Sequence, residues 1–170
     1  MKKYLLDANI FIEAHMRYYP FDISPGFWDA LLAHHDKKRI FSIQQVKDEL
    51  DEGDDRLTQW ANETAPKTFF KKTADKAVVD WYKKIIQWVT GQPQFTAEAQ
   101  AQFASVADGW LIAYAKSNGL AVVTHEKPSA QIKARVPIPN VCEEFKVEYL
   151  NTFEMLRELG VQLVLARSRR

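Results

Sequence analysis

The sequence has a single cysteine, almost no net charge and no long apolar run. Cys142 cannot form a disulfide within the chain, so nothing here requires an oxidising compartment, and its apolar neighbours predict a buried thiol. No run is long enough to span a bilayer or to act as a signal peptide, because the apolar residues after Met1 end at Asp7. We therefore expect a cytoplasmic protein without a membrane segment.

The chain also lacks the overall positive charge of many nucleic-acid-binding proteins, since its formal net charge is +1. Binding to a polyanion would therefore depend on how the charges are distributed. The basic end of the chain, Arg167–Arg170, is predicted to be a solvated tail. There is no P-loop, no G-x-G-x-x-G, no G-x-S-x-G and no H-E-x-x-H, which argues against nucleoside triphosphatases, Rossmann dehydrogenases, serine hydrolases and zinc peptidases.

The composition is that of a globular protein, with 46% hydrophobic and 26% charged residues in 170 positions. We expect one domain over residues 1–170. Short apolar runs alternate with helical patterns, which predicts an α/β fold: a three-layer α/β/α sandwich with a four- or five-stranded parallel sheet. The predicted strands are Lys3–Leu6, Arg39–Ser42, Leu120–Thr124 and one within Pro137–Phe145. Helices are predicted over Ala8–Arg17, Gly26–His35, Ile43–Leu50 (capped by Ser42), Leu57–Asn62, Thr73–Val89, Thr96–Val106, Ala107–Ser117 and Thr152–Leu159.

Acidic residues lie where ligands collect in such a fold, beyond the carboxyl ends of the parallel strands. Asp7 ends the first predicted strand, and Glu126 follows the strand that ends at Thr124. Glu49 lies on the helix after the second strand, and Asp108 begins a later helix. Four carboxylates in one pocket would repel each other unless a cation neutralised them, and Mg²⁺ and Mn²⁺ prefer oxygen ligands.

Each acid also has an ordinary structural interpretation. Asp7 and Asp108 could be helix N-caps, and Glu126 could be a surface loop residue. Glu49 lies in an acidic run in which Asp48 is its rival as a ligand, and such a run is usually a solvated face. Only the combined placement of the four acids favours a site.

Four segments together resemble the motifs of PIN-domain nucleases. The first motif is an apolar strand that ends in Asp directly before a helix, and the second is an acidic residue followed by a hydrophobic one. The third is an Asp that begins an alanine-rich helix. The fourth is the pattern Thr-x-acid after a buried strand. The matching segments are Tyr4–Ile12, Val46–Leu50, Ala107–Ala115 and Val122–Glu126. The chain is similar to a branch of PIN proteins, near the VapC-type toxins, that carries Phe27-Trp28, Thr124-His125-Glu126 and Pro139-Asn140-Val141-Cys142.

The resemblance implies an endoribonuclease that hydrolyses RNA phosphodiester bonds with Mg²⁺ or Mn²⁺ and leaves a 5′-phosphate. It also implies a toxin–antitoxin pair, an antitoxin protein as partner and a homodimer. Its metal-binding and catalytic acids correspond to Asp7, Glu49, Asp108 and Glu126, where the family more often has Asp at the fourth position. Asn9 and Thr124 correspond to polar pocket residues that orient ligands or water.

Two other functions remain open. A phosphatase of the haloacid dehalogenase type also has an aspartate after its first strand, but it needs a second acid where this chain has Asn9. A PIN fold that binds RNA or protein without catalysis is the other alternative.

The aromatic residues divide into two groups. Trp28, Trp81, Trp88 and Trp110 fall on amphipathic faces and are predicted to pack in the core. Trp60 and the pair Phe69-Phe70 lie in less periodic sequence and are candidate contacts with an antitoxin. His125 is predicted to lie in a loop at the mouth of the acidic pocket.

Overall fold

The structure is a computed structural model that describes residues 1–165. The basic tail Arg167–Arg170 therefore lies outside the described residues. Within the described part of the chain, no helix is long and apolar enough to cross a bilayer.

The architecture is a five-stranded, all-parallel sheet with helices between its strands. The strands are β1 (Tyr4–Leu6), β2 (Ile40–Ile43), β3 (Phe70–Lys71), β4 (Ala121–Val123) and β5 (Tyr149–Leu150). The helices are α1 (Ala8–Glu13, followed by a π-helical turn Ala14–Tyr18), α2 (Pro25–Asp36), α3 (Gln44–Asp51), α4 (Arg56–Gln59, followed by a π-helical turn Trp60–Thr64), α5 (Lys76–Thr90), α6 (Ala97–Ser105), α7 (Asp108–Asn118), α8 (Ile138–Phe145) and α9 (Thr152–Glu158).

The strand order is β3-β2-β1-β4-β5, so the chain first builds one half of the sheet and then crosses back over β1. Because such crossovers are right-handed, the two halves place their helices on opposite faces. Helices α1, α3 and α4 pack together in one layer, and α5, α6, α7 and α8 pack together in another. The predicted three-layer α/β/α sandwich is confirmed, with five strands.

Short and almost entirely apolar strands form the centre of the core. All residues of β1, β2 and β4 are buried, as expected for parallel strands covered by helices on both faces. Ser42 in β2 donates a hydrogen bond of 2.7 Å to the carbonyl oxygen of Leu6. Ser42 therefore does not cap α3, contrary to the prediction; it joins β2 to the end of β1, directly before Asp7.

Two further predictions are wrong. Residues 138–145 form helix α8 instead of a last strand; that strand is β5. Trp60, Phe69 and Phe70 are buried, with Phe11 packed against all three rings, so they are core residues and not surface contacts for a partner. Trp28 is buried and the tryptophans at positions 81, 88 and 110 pack partly buried against the core, as predicted.

Candidate active site

The strand order reverses between β1 and β4, and this point in an open α/β sheet is where a crevice forms at the carboxyl ends of the strands. Asp7 follows β1 and Thr124 follows β4. The backbone N–H of Asp7 donates to the carbonyl oxygen of Val123 over 3.1 Å, and the Thr124 hydroxyl donates to Asp7 Oδ2 over 3.2 Å. Asp7 is only 2% exposed, and its side chain does not cap α1. Its carboxylate is therefore available to the crevice.

Asp108 reaches the same crevice from the first turn of α7. The start of that helix is fixed by Glu49 on α3, because Glu49 Oε1 accepts a 2.9 Å hydrogen bond from the backbone N–H of Ala107. Glu49 is half-buried and faces inward, whereas its neighbour Asp48 is exposed and accepts a 2.8 Å hydrogen bond from Gln44. The structure therefore places Glu49, and not its rival, beside the other acids.

The acids lie close enough to perturb one another. Burial, followed by the nearby charge of Glu126, raises the pKa of Asp7 from 3.8 to about 7, although the Thr124 hydrogen bond lowers it. Burial, then the charges of Asp7, Glu126 and Glu49, raises the pKa of Asp108 well above its ordinary value, while the Arg135 guanidinium lowers it. Burial also raises the pKa of Glu49. Asp7, Glu49, Asp108 and Glu126 therefore form an acidic crevice in which the two aspartates resist ionisation when no cation is present.

Glu126 is held differently from the other three acids. Its Oε2 accepts a 2.7 Å hydrogen bond from the backbone N–H of Ile138, at the start of α8, and its Oε1 forms a 3.1 Å ion pair with Arg135. A carboxylate at a helix N-terminus is favourable because the first N–H groups of a helix have no partner within it. Glu126 therefore stabilises α8 as well as lining the crevice.

The two pocket residues predicted from the motifs differ in exposure. Thr124 is buried and orients Asp7, as described above. Asn9 is exposed and lines an open cleft with Tyr18, His125 and Glu126. A second, smaller cleft is lined by Asp108, again with Glu126 and Arg135. The two clefts therefore share the pair Glu126–Arg135 as a common wall.

The oxygen donors suit a hard divalent cation. Within residues 1–165, no three histidine, cysteine, aspartate or glutamate side chains stand together as a ready-made metal site. Both glutamates are held by backbone N–H groups, so Asp7 and Asp108 are the carboxylates best placed to bind directly. Mg²⁺ is commonly held in this way, by one or two carboxylates with water and substrate phosphates completing its shell. The group that fits is therefore Mg²⁺ or Mn²⁺ with an incomplete protein shell.

Arg135 lies in an irregular segment and has no sequence pattern that identifies it as a site residue. Its guanidinium is close to the acids, since it pairs with Glu126 and lowers the pKa of Asp108. Gly109 also has no sequence pattern that indicates its role. A Cβ at Gly109 would lie 3.0 Å from Tyr82 Cε2 and 3.3 Å from Phe103 Cε1. The residue after Asp108 therefore has to be glycine for α7 to approach these rings.

We expect Gly109→Ala to lower the free energy of unfolding by about 1–3 kcal/mol, the usual result of overpacking. The Tyr82 ring cannot give way easily, because it stacks on Trp110 with centroids 3.7 Å apart and its hydroxyl donates to Ala104. Urea unfolding monitored by circular dichroism measures the change. Gly91→Ala is the control, since a Cβ there meets nothing closer than 3.4 Å. Equal losses in both variants would contradict the packing argument.

Comparison with known proteins supports the fold. The structure is similar to the crystal structure of FitAcB from Neisseria gonorrhoeae, with a TM-score of 0.55 and 19% sequence identity over 88% of this chain and 98% of that chain. The shared architecture is PIN-like. None of the curated proteins compared with the chain matches it. A family model matches residues 4–163, and the chain accordingly belongs to the family described as a domain of unknown function, DUF4411.

Proposed function

We propose that this protein is a metal-dependent endoribonuclease that hydrolyses RNA phosphodiester bonds with Mg²⁺ or Mn²⁺. The observation that carries the proposal is the pairing of Asp7 and Asp108, two inward-facing carboxylates whose pKa values are raised partly by neighbouring carboxylates. Repulsion between the carboxylates destabilises the folded protein, and a bound divalent cation would relieve that repulsion. A bound cation would polarise the phosphodiester and lower the pKa of an attacking water.

The residues around the two aspartates have supporting roles in this proposal. Thr124 fixes the orientation of the Asp7 carboxylate, and Glu49 fixes the first turn of the helix that carries Asp108. Glu126 contributes charge from the rim of the crevice while it holds α8, so we propose that it reaches the metal only through water. Asn9 is proposed to contact water or substrate from the open cleft.

We further propose that the enzyme is the toxin of a toxin–antitoxin pair, that it forms a homodimer, and that an antitoxin covers the acidic crevice. This part rests on the resemblance of the four motifs to PIN nucleases of the VapC type. The likeness to FitAcB contributes the fold alone.

A binding module without catalysis is the second candidate, and one observation favours it. Glu126 is already neutralised by Arg135 and by the N–H of Ile138, so the fourth acid is less available than in a fully acidic site. The phosphatase alternative receives no such support, since the second acid it needs is replaced by the exposed Asn9.

The test is cleavage of structured and unstructured RNA by the purified protein in Mn²⁺ and in EDTA. We expect cleavage in Mn²⁺ only, and a loss of roughly a hundredfold or more in Asp7→Asn, because even residues that merely orient metal ligands contribute about 10–100-fold. The matched control is Asp48→Asn, which removes an exposed carboxylate from the adjacent helix and should cleave like the wild type. Cleavage that persists in EDTA or in Asp7→Asn would refute the proposed site.

A further inference from the structure

Three aromatic rings from distant parts of the chain meet at the rim of the acidic crevice. The ring of Tyr18 lies 5.6 Å from that of His125 and 5.4 Å from that of Phe153, and the latter two rings are 6.0 Å apart. These centroid distances are those of packed aromatic pairs. The outermost member, Tyr18, is 48% exposed, so much of its surface faces solvent.

Hydrogen bonds of the surrounding chain fix the positions of the three rings. Helix α1 ends in a π-helical turn in which the N–H of Tyr19 donates to the carbonyl oxygen of Ala14 over 2.8 Å, and this wider turn places Tyr18. Such turns inside helices are frequent at functional sites. His125 directly follows the Thr124 that orients Asp7, and its Nε2 lies 3.2 Å from the hydroxyl of Thr152, the residue before Phe153.

An open cleft of about 360 Å³ lies beside Tyr18 and His125. This volume falls within the range of roughly 300–1,000 Å³ that is typical of small-ligand pockets. The cleft shares Glu126 and Arg135 with the smaller cleft lined by Asp108. A ligand that fills both clefts would therefore contact Glu126 and Arg135 and reach Asp108.

The charges around the cleft suit a phosphate-linked base. Lys127 is exposed in the cleft lining, and the Arg135 side chain is 51% exposed. Both carboxylates that line the cleft among the described residues are paired, Glu13 with Arg17 over 3.4 Å and Glu126 with Arg135 over 3.1 Å.

We propose that Tyr18 and His125, supported from behind by Phe153, form a stacking platform for one unpaired nucleobase of an RNA strand, with Lys127 and Arg135 contacting its phosphates. This inference rests on the proposed function, because it assigns the substrate of that site to unpaired RNA. Every base has a π-face, so aromatic platforms of this kind accept different sequences but require a base that is free of its pair.

The test is binding of labelled RNA to the full chain in EDTA, measured by fluorescence anisotropy at low ionic strength. The probes are oligoadenylate of about ten nucleotides, a length matched to single-strand sites, and the same strand paired in a duplex. We expect the wild type to prefer the unpaired strand. Tyr18→Ala should weaken this binding about tenfold, as loss of one base–aromatic stack does, and Tyr18→Phe should stay within about twofold because it keeps the ring.

Abasic probes distinguish stacking from a general loss of structure. Removing one base from the oligonucleotide should weaken binding to the wild type but not further weaken binding to Tyr18→Ala. Equal affinities of wild type and Tyr18→Ala, absence of a preference for the unpaired strand, or absence of binding would each overturn the platform and leave the cluster to a protein partner. Because no metal is present, the result is separable from nuclease activity: base binding without cleavage in Mn²⁺ would refute the proposed function alone.

Discussion

Replacing Asp108 with asparagine is expected to abolish metal-dependent RNA cleavage while making the metal-free protein more stable to heat. Burial and the charges of Asp7, Glu126 and Glu49 raise the pKa of Asp108. The ionised form of this side chain therefore destabilises the folded protein when no cation is present. Asparagine has nearly the same shape and no charge, and it removes this repulsion. It also removes a proposed metal ligand, which should reduce cleavage by roughly a hundredfold or more.

Thermal unfolding in EDTA near pH 8 measures the first effect, since the acids are then most fully ionised. A chain of this size gains about 2–4 °C in Tm for each kcal/mol of repulsion removed. Addition of Mn²⁺ should raise the Tm of the wild type more than that of Asp108→Asn, because only the wild type has both aspartates. Asp48→Asn should resemble the wild type in both assays. A variant that is less stable in EDTA and still cleaves would show that Asp108 is an ordinary structural residue.

A carboxylate that destabilises the free protein but serves its function belongs to a functional site, whereas a carboxylate in a structural ion pair stabilises the fold. The carboxylates that serve the fold have pKa values lowered by partners, as Lys2 and Tyr4 lower that of Glu158. The acids of the crevice, Asp7 and Asp108, are shifted upward instead. Residues that destabilise the free protein are typical of sites where a bound ligand compensates for the destabilisation.

The centre of the sheet was predictable from sequence because strands buried on both faces are continuous apolar runs. β1, β2 and β4 were predicted to within a residue or two of their bounds. The edge strands β3 and β5 were not identified, since two residues each are too few to show a period. Their existence depends on pairing with β2 and β4, which is a property of the assembled sheet.

Helix α8 was mistaken for a strand although its helical signal was present. Ile138, Val141 and Cys142 are buried, and Phe145 is partly buried, at the spacing i, i+3, i+4 and i+7 of one helix face. Pro137, which immediately precedes the helix, also suits a helix start. The apolar run concealed this pattern, because short apolar segments are ambiguous between strand and helix.

The candidate site was partly predictable for a topological reason. Asp7 and Thr124 end neighbouring parallel strands, so their proximity follows from the strand order once the fold is known. The partners of Glu126 were hidden, because Arg135 lies in an irregular segment and the N–H of Ile138 became available only when α8 formed. The ring cluster was equally hidden, since Tyr18 lies more than a hundred positions before the other two rings. Contacts of this kind have no local signature.

Without metal, the protein is expected to lose stability as the pH rises from about 4 to about 7. The pKa of Asp7 is 3.8 when unperturbed, as in the unfolded chain, and about 7 in the fold, so between these values the folded state binds more protons. Stability must then fall with rising pH, and the loss is complete above the folded pKa. At about 1.4 kcal/mol per pKa unit, the loss amounts to a few kcal/mol.

The quantity to measure is the difference in unfolding free energy between the wild type and Asp7→Asn across this pH range in EDTA. Taking the difference cancels groups whose titration does not depend on Asp7, including His125, whose lowered pKa acts in the opposite direction. We expect the wild type to lose stability relative to the variant as the pH rises. Mn²⁺ at about a hundred times its Kd should return roughly 2.7 kcal/mol to the wild type at pH 8, because it binds only the folded state. A difference that stays flat with pH would mean that Asp7 is not held at an elevated pKa, and stabilisation of Asp7→Asn by Mn²⁺ equal to that of the wild type would place the cation elsewhere.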